Sequence, residues 1–244
     1  MSGADYFAAV DATWPAAERR TVGPWVLRAG QGGGKRVSAA TAQDATALDH
    51  IEDAEAGMRS FGQAPLFMLR PGEEALDAEL ARRGYGIVDP TVLLCTPVAR
   101  LTDTPVPRVT AFCIWEPLAI MEEIWAAGGI GPARLAVMER AAQKTGILAR
   151  WNEKPAGAAF VAMSGDVGVV HAVEILPHQR RQGVAGWVMR AAAFWAAKQG
   201  AAEMMVLCTR ANAAALALYS SLGFEEVGHY HYRLNPARKT EPHG

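Results

Sequence analysis

The chain has 244 residues, of which 50% are hydrophobic, and its 24 basic side chains nearly balance 25 acidic ones. This length suits one large domain or two small ones, either with an ample core. A net charge of −1 provides no broad positive field, which excludes nucleic acid and anionic membranes as expected partners.

The first residues and the cysteines bear on the compartment. The first twenty residues contain acids where a signal peptide needs a cationic segment and then a continuous apolar one. Nowhere do about 18 uncharged apolar residues run together, as a membrane span requires. Three cysteines, Cys95, Cys113 and Cys208, are widely separated and lack metal or redox spacing. The sequence therefore predicts a cytoplasmic protein with reduced thiols.

The first half of the chain alternates helical and extended patterns. Its predicted elements are a helix at 4–12, strands "GPWVLRAG" and "KRVSAAT", helix "AQDATALDHIEDAEAGMRSFG", strand "PLFMLR", helix "EEALDAELARRG" and strand "YGIVDPTVLLC". The stretch "GQGGGK" resembles a phosphate-binding loop, but Arg36 stands where a Ser or Thr would hold magnesium. No helix follows it, so we predict a hairpin tip there.

A proline-rich stretch, residues 99–109, predicts a linker between two domains. Beyond it the predicted elements are helices "PLAIMEEIWAAGG" and "ARLAVMERAAQKTG", strands "ILARW", "AGAAFVAM" and "VGVVHAVEIL", helix "QGVAGWVMRAAAFWAAKQG", strand "AEMMVLCT", helix "NAAALALYSSLG" and strand "FEEVGHYHYRL". Residues 236–244 are predicted to form a polar tail.

Two segments share one plan of strand, breaker, helix, Gly-aromatic pair and strand. They are "PLFMLRPGEEALDAELARRGYGIVDPTVLL" and "EMMVLCTRANAAALALYSSLGFEEVGHYHYRL". This pattern predicts a diverged internal duplication. A chance match is the alternative, because strand–helix–strand units are common.

The stretch "HQRRQGVAG", residues 178–186, lies where an apolar strand ends and a long helix begins. The first turn of a helix has unpaired amides and a positive dipole end, so small residues there admit an anion such as a pyrophosphate. Packing of the helix on a sheet would also need small residues, and two arginines can simply be solvated. Both explanations stay open on these residues alone.

Two motifs together resemble the GNAT superfamily of acyl-CoA-dependent N-acyltransferases. The first is (Q/R)-x-x-G-x-(G/A), carried by Arg180, Gly183 and Ala185. The second is N-x-x-A-x-x-L-Y-x-x-x-G-F, which is matched without substitution by Asn212, Ala215, Leu218, Tyr219, Gly223 and Phe224. The resemblance covers residues 108–235 well and the first half only in outline.

The resemblance implies an α/β (α+β) fold with a mixed, mostly antiparallel central sheet flanked by helices, in two tandem copies. The implied domains are a degenerate copy at 1–98 and a catalytic copy at 110–235, joined by the linker. In the first copy Leu80 falls where Tyr219 stands, and no pyrophosphate motif is present. The implied coenzyme contacts are Ile175, Arg180, Arg181, Gln182, Gly183, Val184, Ala185, Gly186 and Asn212.

Acyl transfer from a thioester to an amine needs an oxyanion donor, a base for the amine and an acid for the leaving thiolate. The resemblance makes Tyr219 the acid. For the base, His171 is the first candidate, because histidine titrates in the right range and related enzymes place an ionisable side chain there. Glu174 and a water relay are the alternatives. Alternation along the strand predicts that His171 and Glu174 face opposite sides.

The predicted function is N-acetyl transfer from acetyl-CoA to a primary amine, most simply of a small molecule. A sensor that binds acyl-CoA without turnover is the alternative. His229 and His231 alternate on the last strand without an identifiable third ligand, so we expect no metal. The identity of the amine, the acyl chain length and the oligomeric state stay open.

Overall fold

The computed structural model describes residues 3–235, so the predicted tail at 236–244 lies outside the described residues. In chain order the helices are α1 (Gly3–Thr13), α2 (Ile51–Ser60), α3 (Glu74–Arg82), α4 (Val98–Leu101), α5 (Ala119–Ala127), α6 (Pro132–Arg140), α7 (Val184–Lys198) and α8 (Ala213–Ser221). The strands are β1 (Glu18–Val22), β2 (Trp25–Ala29), β3 (Thr41–Ala42), β4 (Leu66–Leu69), β5 (Gly86–Pro97), β6 (Ala111–Ile114), β7 (Lys144–Trp151), β8 (Lys154–Ser164), β9 (Val167–Ile175), β10 (Glu203–Thr209) and β11 (Glu225–Leu234).

The described residues divide into two compact units. The first unit comprises residues 3–15, 93–208 and 212–227, and the second comprises 16–92, 209–211 and 228–235. The units do not follow the predicted domains 1–98 and 110–235, because α1 packs on β8 and β9 of the first unit. Among residues 3–235, none of the helices has both the length and the hydropathy needed to cross a membrane.

The first unit contains a sheet in which β6, β7, β8 and β9 are joined by antiparallel pairing and β10 runs parallel to β9. This arrangement confirms the predicted mixed, mostly antiparallel sheet. Helix α7 packs on β7, β8 and β9. Helices α1 and α5 pack on β8 and β9. Residues 156–163 of β8 are all buried, which explains why this strand reads as one continuous apolar run.

Small residues let α7 lie close to the sheet. Ala192, Ala193 and Ala196 on this helix are fully buried. A Cβ atom added at Gly168 of β9 would lie 2.9 Å from the Cβ atom of Ala196, so a larger residue at either position would push the helix away. The carboxyl-terminal part of α7 is therefore held close to the start of β9.

The second unit has an antiparallel sheet in the order β1-β2-β3, and β4 pairs antiparallel with β11. Its core consists of buried apolar side chains that include Trp25, Leu27, Phe67, Leu80 and Tyr85. The Tyr85 hydroxyl donates to Glu55 at 2.7 Å. Arg233 donates to both carboxylate oxygens of Asp77, at 2.7 and 2.9 Å.

The predicted strand "KRVSAAT" is only partly extended. Within it, Lys35–Val37 form a single 3-10 turn and only Thr41–Ala42 pair antiparallel with β2, so "GQGGGK" lies in the long connection between these two strands. Beyond this short pairing, the Gln63 side chain forms the hydrogen bonds that a neighbouring strand would otherwise make. It accepts from the Gly30 amide at 2.8 Å and donates to the Arg28 carbonyl at 2.7 Å.

The predicted linker at 99–109 is also partly regular structure. Strand β5 continues through Pro97, and residues 98–101 form α4, in which Leu101 is fully buried. The Leu101 carbonyl accepts a hydrogen bond from Arg190 of α7 at 3.1 Å. Prolines at 97, 105 and 107 flank this packed turn, and their density rather than a lack of contacts produced the linker pattern.

Candidate active site

Strands β9 and β10 separate at their carboxyl ends. The parallel pairing ends at Val206 opposite Val170, although β9 continues to Ile175 and β10 runs on through Cys208. On its other side β9 stays paired with β8 as far as Ile175 opposite Gly157. The side of β9 that faces the gap therefore presents a strand edge, which can hydrogen-bond an extended ligand as another strand would.

A β-bulge interrupts β9 where the two strands separate. Ala172 has a left-handed φ of 52°, and the register with β8 shifts between Phe160 opposite His171 and Ala158 opposite Glu174. The Trp125 indole donates to the Ala172 carbonyl at 2.8 Å and fixes this backbone. Ala158 and Phe160 share one face of β8, so their partners His171 and Glu174 also share a face. The prediction of opposite faces is wrong because simple alternation ignores the bulge.

The segment after β9 turns into α7 with its amides exposed. A 3-10 turn at Pro177–Gln179 leads to Arg181 and Gly183, whose φ angles of 60° and 81° are left-handed. The first helical bond of α7 joins the Trp187 amide to the Gly183 carbonyl at 3.3 Å. The amides of residues 181–186 find no backbone acceptor among residues 3–235, and the positive end of the helix dipole lies there.

The small residues of this segment face open space. A Cβ atom added at Gly183 or Gly186 would meet no atom within 4 Å. Packing of the helix on the sheet therefore does not explain these two glycines. Gly183 is needed for its left-handed backbone, and Gly186 leaves room beside the helix terminus. Such a terminus with open amides is a site for an anion.

Two polar side chains donate hydrogen bonds to backbone carbonyls of this loop and of the strand end before it. The Arg180 Nε atom donates to the Ile175 carbonyl at 2.9 Å, and the Gln182 side chain donates to the His178 carbonyl at 3.0 Å. Arg181 is exposed, whereas Val184, the first residue of α7, is buried. Asn212 has a structural role at the start of α8, where its side chain accepts from the Ala215 amide at 3.1 Å as a helix cap.

Tyr219 lies in α8 with only 6% of its surface exposed, and its ring centroid is 5.6 Å from that of Phe224. Burial and the nearby Cys208 raise the pKa of its phenol far above the ordinary value. The hydroxyl therefore remains protonated at neutral pH and is available as a donor. Cys208 lies two residues beyond Val206, the last residue of β10 paired with β9, so Tyr219 belongs to the same region as the gap between these strands.

His171 is held in the interior of the first unit. It is 5% exposed, and its Nε2 atom lies 3.0 Å from the Thr13 hydroxyl oxygen. The Thr13 hydroxyl donates to the Ala9 carbonyl at 2.7 Å, so its oxygen accepts from His171. The Trp14 ring packs 4.9 Å from the imidazole. These contacts tie His171 to α1.

Glu174 is half-buried at the end of β9. Burial raises the pKa of its carboxyl, while Arg180 and Arg134 act in the opposite direction. A Cβ atom added at Gly128, just after α5, would lie 2.3 Å from the Glu174 Cδ atom, so the carboxylate lies directly against the backbone of that glycine. The bulge thus brings a carboxylate of raised pKa onto the face that α5 covers.

Comparison with known proteins identifies the family that one segment of the chain matches. Residues 115–224 match the model of the acetyltransferase (GNAT) family. Residues 115–224 are a GNAT acetyltransferase domain. The chain is 28% identical over 235 residues to the uncharacterized N-acetyltransferase YobR of Bacillus subtilis (strain 168), covering 91% of this chain and 94% of that one.

Solved structures share the fold of this chain. A GCN5-related N-acetyltransferase from Kribbella flavida superposes with a TM-score of 0.72 at 21% identity, covering 97% of this chain and 96% of that one. A tandem GNAT protein from the clavulanic acid biosynthesis pathway gives 0.59 at 11% identity, covering 83% and 76%. At these identities the likeness concerns the fold alone.

The GNAT domain brings together most of the predicted site residues, namely Ile175, residues 180–186 and Tyr219, around the ends of β9 and β10. Sequence analysis assigned no role at this site to Trp125, Gly128 or Arg134. A double glycine, "AAGG", directly after an amphipathic helix was the available signal for Gly128.

The histidines of the last strand belong to no metal site among the described residues. In the second unit, His231 bonds Asp77 at 2.7 Å, and residues 3–235 contain no group of three or more His, Cys, Asp or Glu side chains that could hold a metal ion.

Proposed function

We propose that this GNAT domain transfers an acetyl group from acetyl-CoA to a primary amine of a small molecule. The observation that carries the proposal is the loop from Arg181 to Gly186, where open amides at the start of α7 adjoin the free edge of β9. A coenzyme A pyrophosphate needs such a group of donors, and its pantetheine arm needs a strand edge beside them. The matched family consists of acetyltransferases, which supports acetyl-CoA as the donor.

We propose that residues 181–186 donate their amides to the pyrophosphate, with Arg180 and Arg181 adding positive charge. The edge of β9 between the bulge and Ile175 would hold the pantetheine arm. A backbone N–H in this part of β9 would bind the thioester oxygen and stabilise the oxyanion that forms there. The bonds of Arg180 and Gln182 within the loop support this role, because donors fixed in advance need no reorganisation.

The amine must lose a proton before its nitrogen attacks the thioester carbonyl carbon. We propose Glu174 as the proton acceptor in place of His171, since the imidazole is buried and already bonded to Thr13. As the carbon–sulfur bond breaks, the sulfur takes the electron pair and a proton from the Tyr219 hydroxyl. The Tyr219 phenolate then takes the second proton that the attacking nitrogen must lose to become an amide, and Glu174 releases the first proton to solvent. The raised pKa of Glu174 suits a base that must release its proton again near neutral pH.

We also propose that the first half carries a diverged copy of the GNAT motif segment. Helix α3 ends with Gly84 at φ 84° and Tyr85, as α8 ends with Gly223 at φ 78° and Phe224. The Tyr85 and Phe224 amides both donate at 3.0 Å to the fifth residue before them, which is Leu80 in one copy and Tyr219 in the other. The copy therefore keeps the helix end and lacks the hydroxyl, which supports a structural role.

The test uses the full chain, acetyl-CoA and a panel of amines, with release of free thiol as the readout. The proposal expects turnover with at least one amine, and Tyr219→Phe should lower kcat by about 10²–10⁴-fold. Coenzyme affinity of this variant, measured by calorimetry, should stay unchanged. Tyr6→Phe is the matched control, because Tyr6 is a buried tyrosine of the same unit that donates to Glu203.

Two outcomes would contradict the proposal. Thermal stabilisation by acetyl-CoA without thiol release from any amine would indicate the non-catalytic sensor. No stabilisation at all would overturn coenzyme binding, because a ligand at 100 times its Kd adds about 2.7 kcal/mol to the free energy of unfolding.

A further inference from the structure

Three charged side chains converge where α5 ends and β9 ends. The Glu174 carboxylate lies against Gly128, with an added Cβ atom there 2.3 Å from Cδ and 2.6 Å from Oε2. The carbonyl of the next residue, Gly129, accepts from the Arg134 Nη1 atom at 3.5 Å. Arg180 donates to the carbonyl of Ile175, the residue that follows Glu174. One negative group is thus flanked by two positive groups.

These charges do not neutralise one another by direct contact. Within residues 3–235, Glu174 has no basic nitrogen within 4.0 Å of its oxygens, although it is half-buried. Arg134 is half-buried as well, and its one described bond is the long one to Gly129. Partly buried charges are costly unless they are paired, so this arrangement suits a ligand that supplies the missing partners.

A simple monoamine would pair with Glu174 and leave Arg134 without an anion. An amine that also carries an anionic group would satisfy both side chains at once. Arginine suits this role, because its planar guanidinium binds carboxylate and phosphate oxygens in a two-pronged geometry. Arg180 differs from Arg134, since its Nε atom is already engaged with the chain at the start of the pyrophosphate loop.

On this basis, and resting on the proposed function, we propose that the acceptor is a primary amine bearing a carboxylate or phosphate. Its ammonium group faces Glu174 and its anionic group binds Arg134. The inference concerns the class of acceptor, and α-amino acids and amino phosphates are the two arms of the test.

The experiment compares matched pairs of amines with the wild-type protein and acetyl-CoA, using thiol release as the readout. Each pair consists of an amino acid and its amide, or an amino phosphate and the corresponding amino alcohol. We expect kcat/KM to be at least 10-fold higher for the anionic member in one of the two arms. A charge-assisted hydrogen bond contributes about 1.5–3 kcal/mol, which corresponds to roughly 10- to 150-fold.

Arg134→Gln should remove this preference. It should lower kcat/KM for the anionic amine at least 10-fold more than for the neutral amine, chiefly through KM. Arg134→Lys should keep part of the preference, because the positive charge remains. Glu139→Gln, an exposed position on the same helix, is the control and should change neither substrate.

Equal kcat/KM for both members of every pair would overturn the inference while leaving the proposed function intact. An Arg134→Gln variant that slows both members alike would overturn it as well. If Arg134→Gln does not fold, the wild-type comparison and Arg134→Lys still decide. Absence of turnover with every amine would overturn the proposed function, and the inference with it.

Discussion

Replacing Gly128 by alanine tests whether the position of the Glu174 carboxylate controls the reaction. The new Cβ atom would lie 2.3 Å from Cδ and 2.6 Å from Oε2 of Glu174, whereas carbon atoms in contact prefer about 3.5–4.0 Å. The carboxylate must therefore move by more than about 1 Å. Because it is the far end of a flexible side chain, this movement costs little stability.

We expect activity and stability to change in opposite directions. Gly128 has a φ of −85°, which alanine adopts without strain, so the loss of unfolded-state freedom should stabilise the chain by about 0.4–1 kcal/mol. A misplacement of about 1 Å can cost about 10²-fold in rate, so kcat should fall by roughly that factor. The measurements are a thermal melt and thiol release with the best amine.

Gly129→Ala is the matched control. Gly129 has a φ of 81° and no atom within 4 Å of an added Cβ, so alanine there is strained by about 1–2 kcal/mol and touches nothing. We expect a lower melting temperature and nearly unchanged kcat. If Gly128→Ala keeps full activity, the placement of Glu174 is irrelevant to the reaction and the reasoning fails.

Three further predictions concern the same site. Trp125→Phe removes the donor to the Ala172 carbonyl and should lower the free energy of unfolding by about 1–3 kcal/mol. The β-bulge should become less rigid, so kcat, measured by thiol release, should fall more than coenzyme affinity, measured by calorimetry. Gly183→Ala should cost about 1–2 kcal/mol through its left-handed φ of 81° and weaken acetyl-CoA binding; an unchanged Kd would argue against the loop as the pyrophosphate site. The rate should rise with pH as Glu174 loses its proton, and the midpoint of this rise should lie above that of an ordinary glutamate because burial raises the pKa of Glu174. Glu174→Gln should abolish this rise in the pH–rate profile. If the rise survives in the variant, it belongs to another group.

The sequence predicted the loop and its helix well because local patterns carry that information. An apolar strand, a turn at Pro177 and a glycine before a long amphipathic helix all lie within twenty residues. The side-chain directions on β9 could not be predicted this way. One extra residue in the ladder reverses the alternation, and the Trp125 bond that holds Ala172 spans 47 positions of the chain.

The same limit explains the other errors. "KRVSAAT" has the composition of a strand, but Gln63 takes the hydrogen bonds that a longer ladder would need. The prolines around α4 suggested a linker, although Leu101 of this helix is fully buried. Helix α1 was predicted correctly as a helix, but its packing partners are remote in the chain, and the Thr13 bond to His171 spans 158 positions. Patterns of neighbouring residues contain no information on such contacts.

The placement of α1 has a practical consequence for anyone who trims or tags this protein. A fragment cut to residues 115–224 would expose the surface on which Thr13 and Trp14 rest, including Phe160 and the imidazole beside it. During synthesis the opening helix must wait until β8 and β9 have emerged before it can dock, so folding of this unit finishes late. A bulky fusion before residue 3 would lie directly before α1, whose last residue, Thr13, rests on that surface.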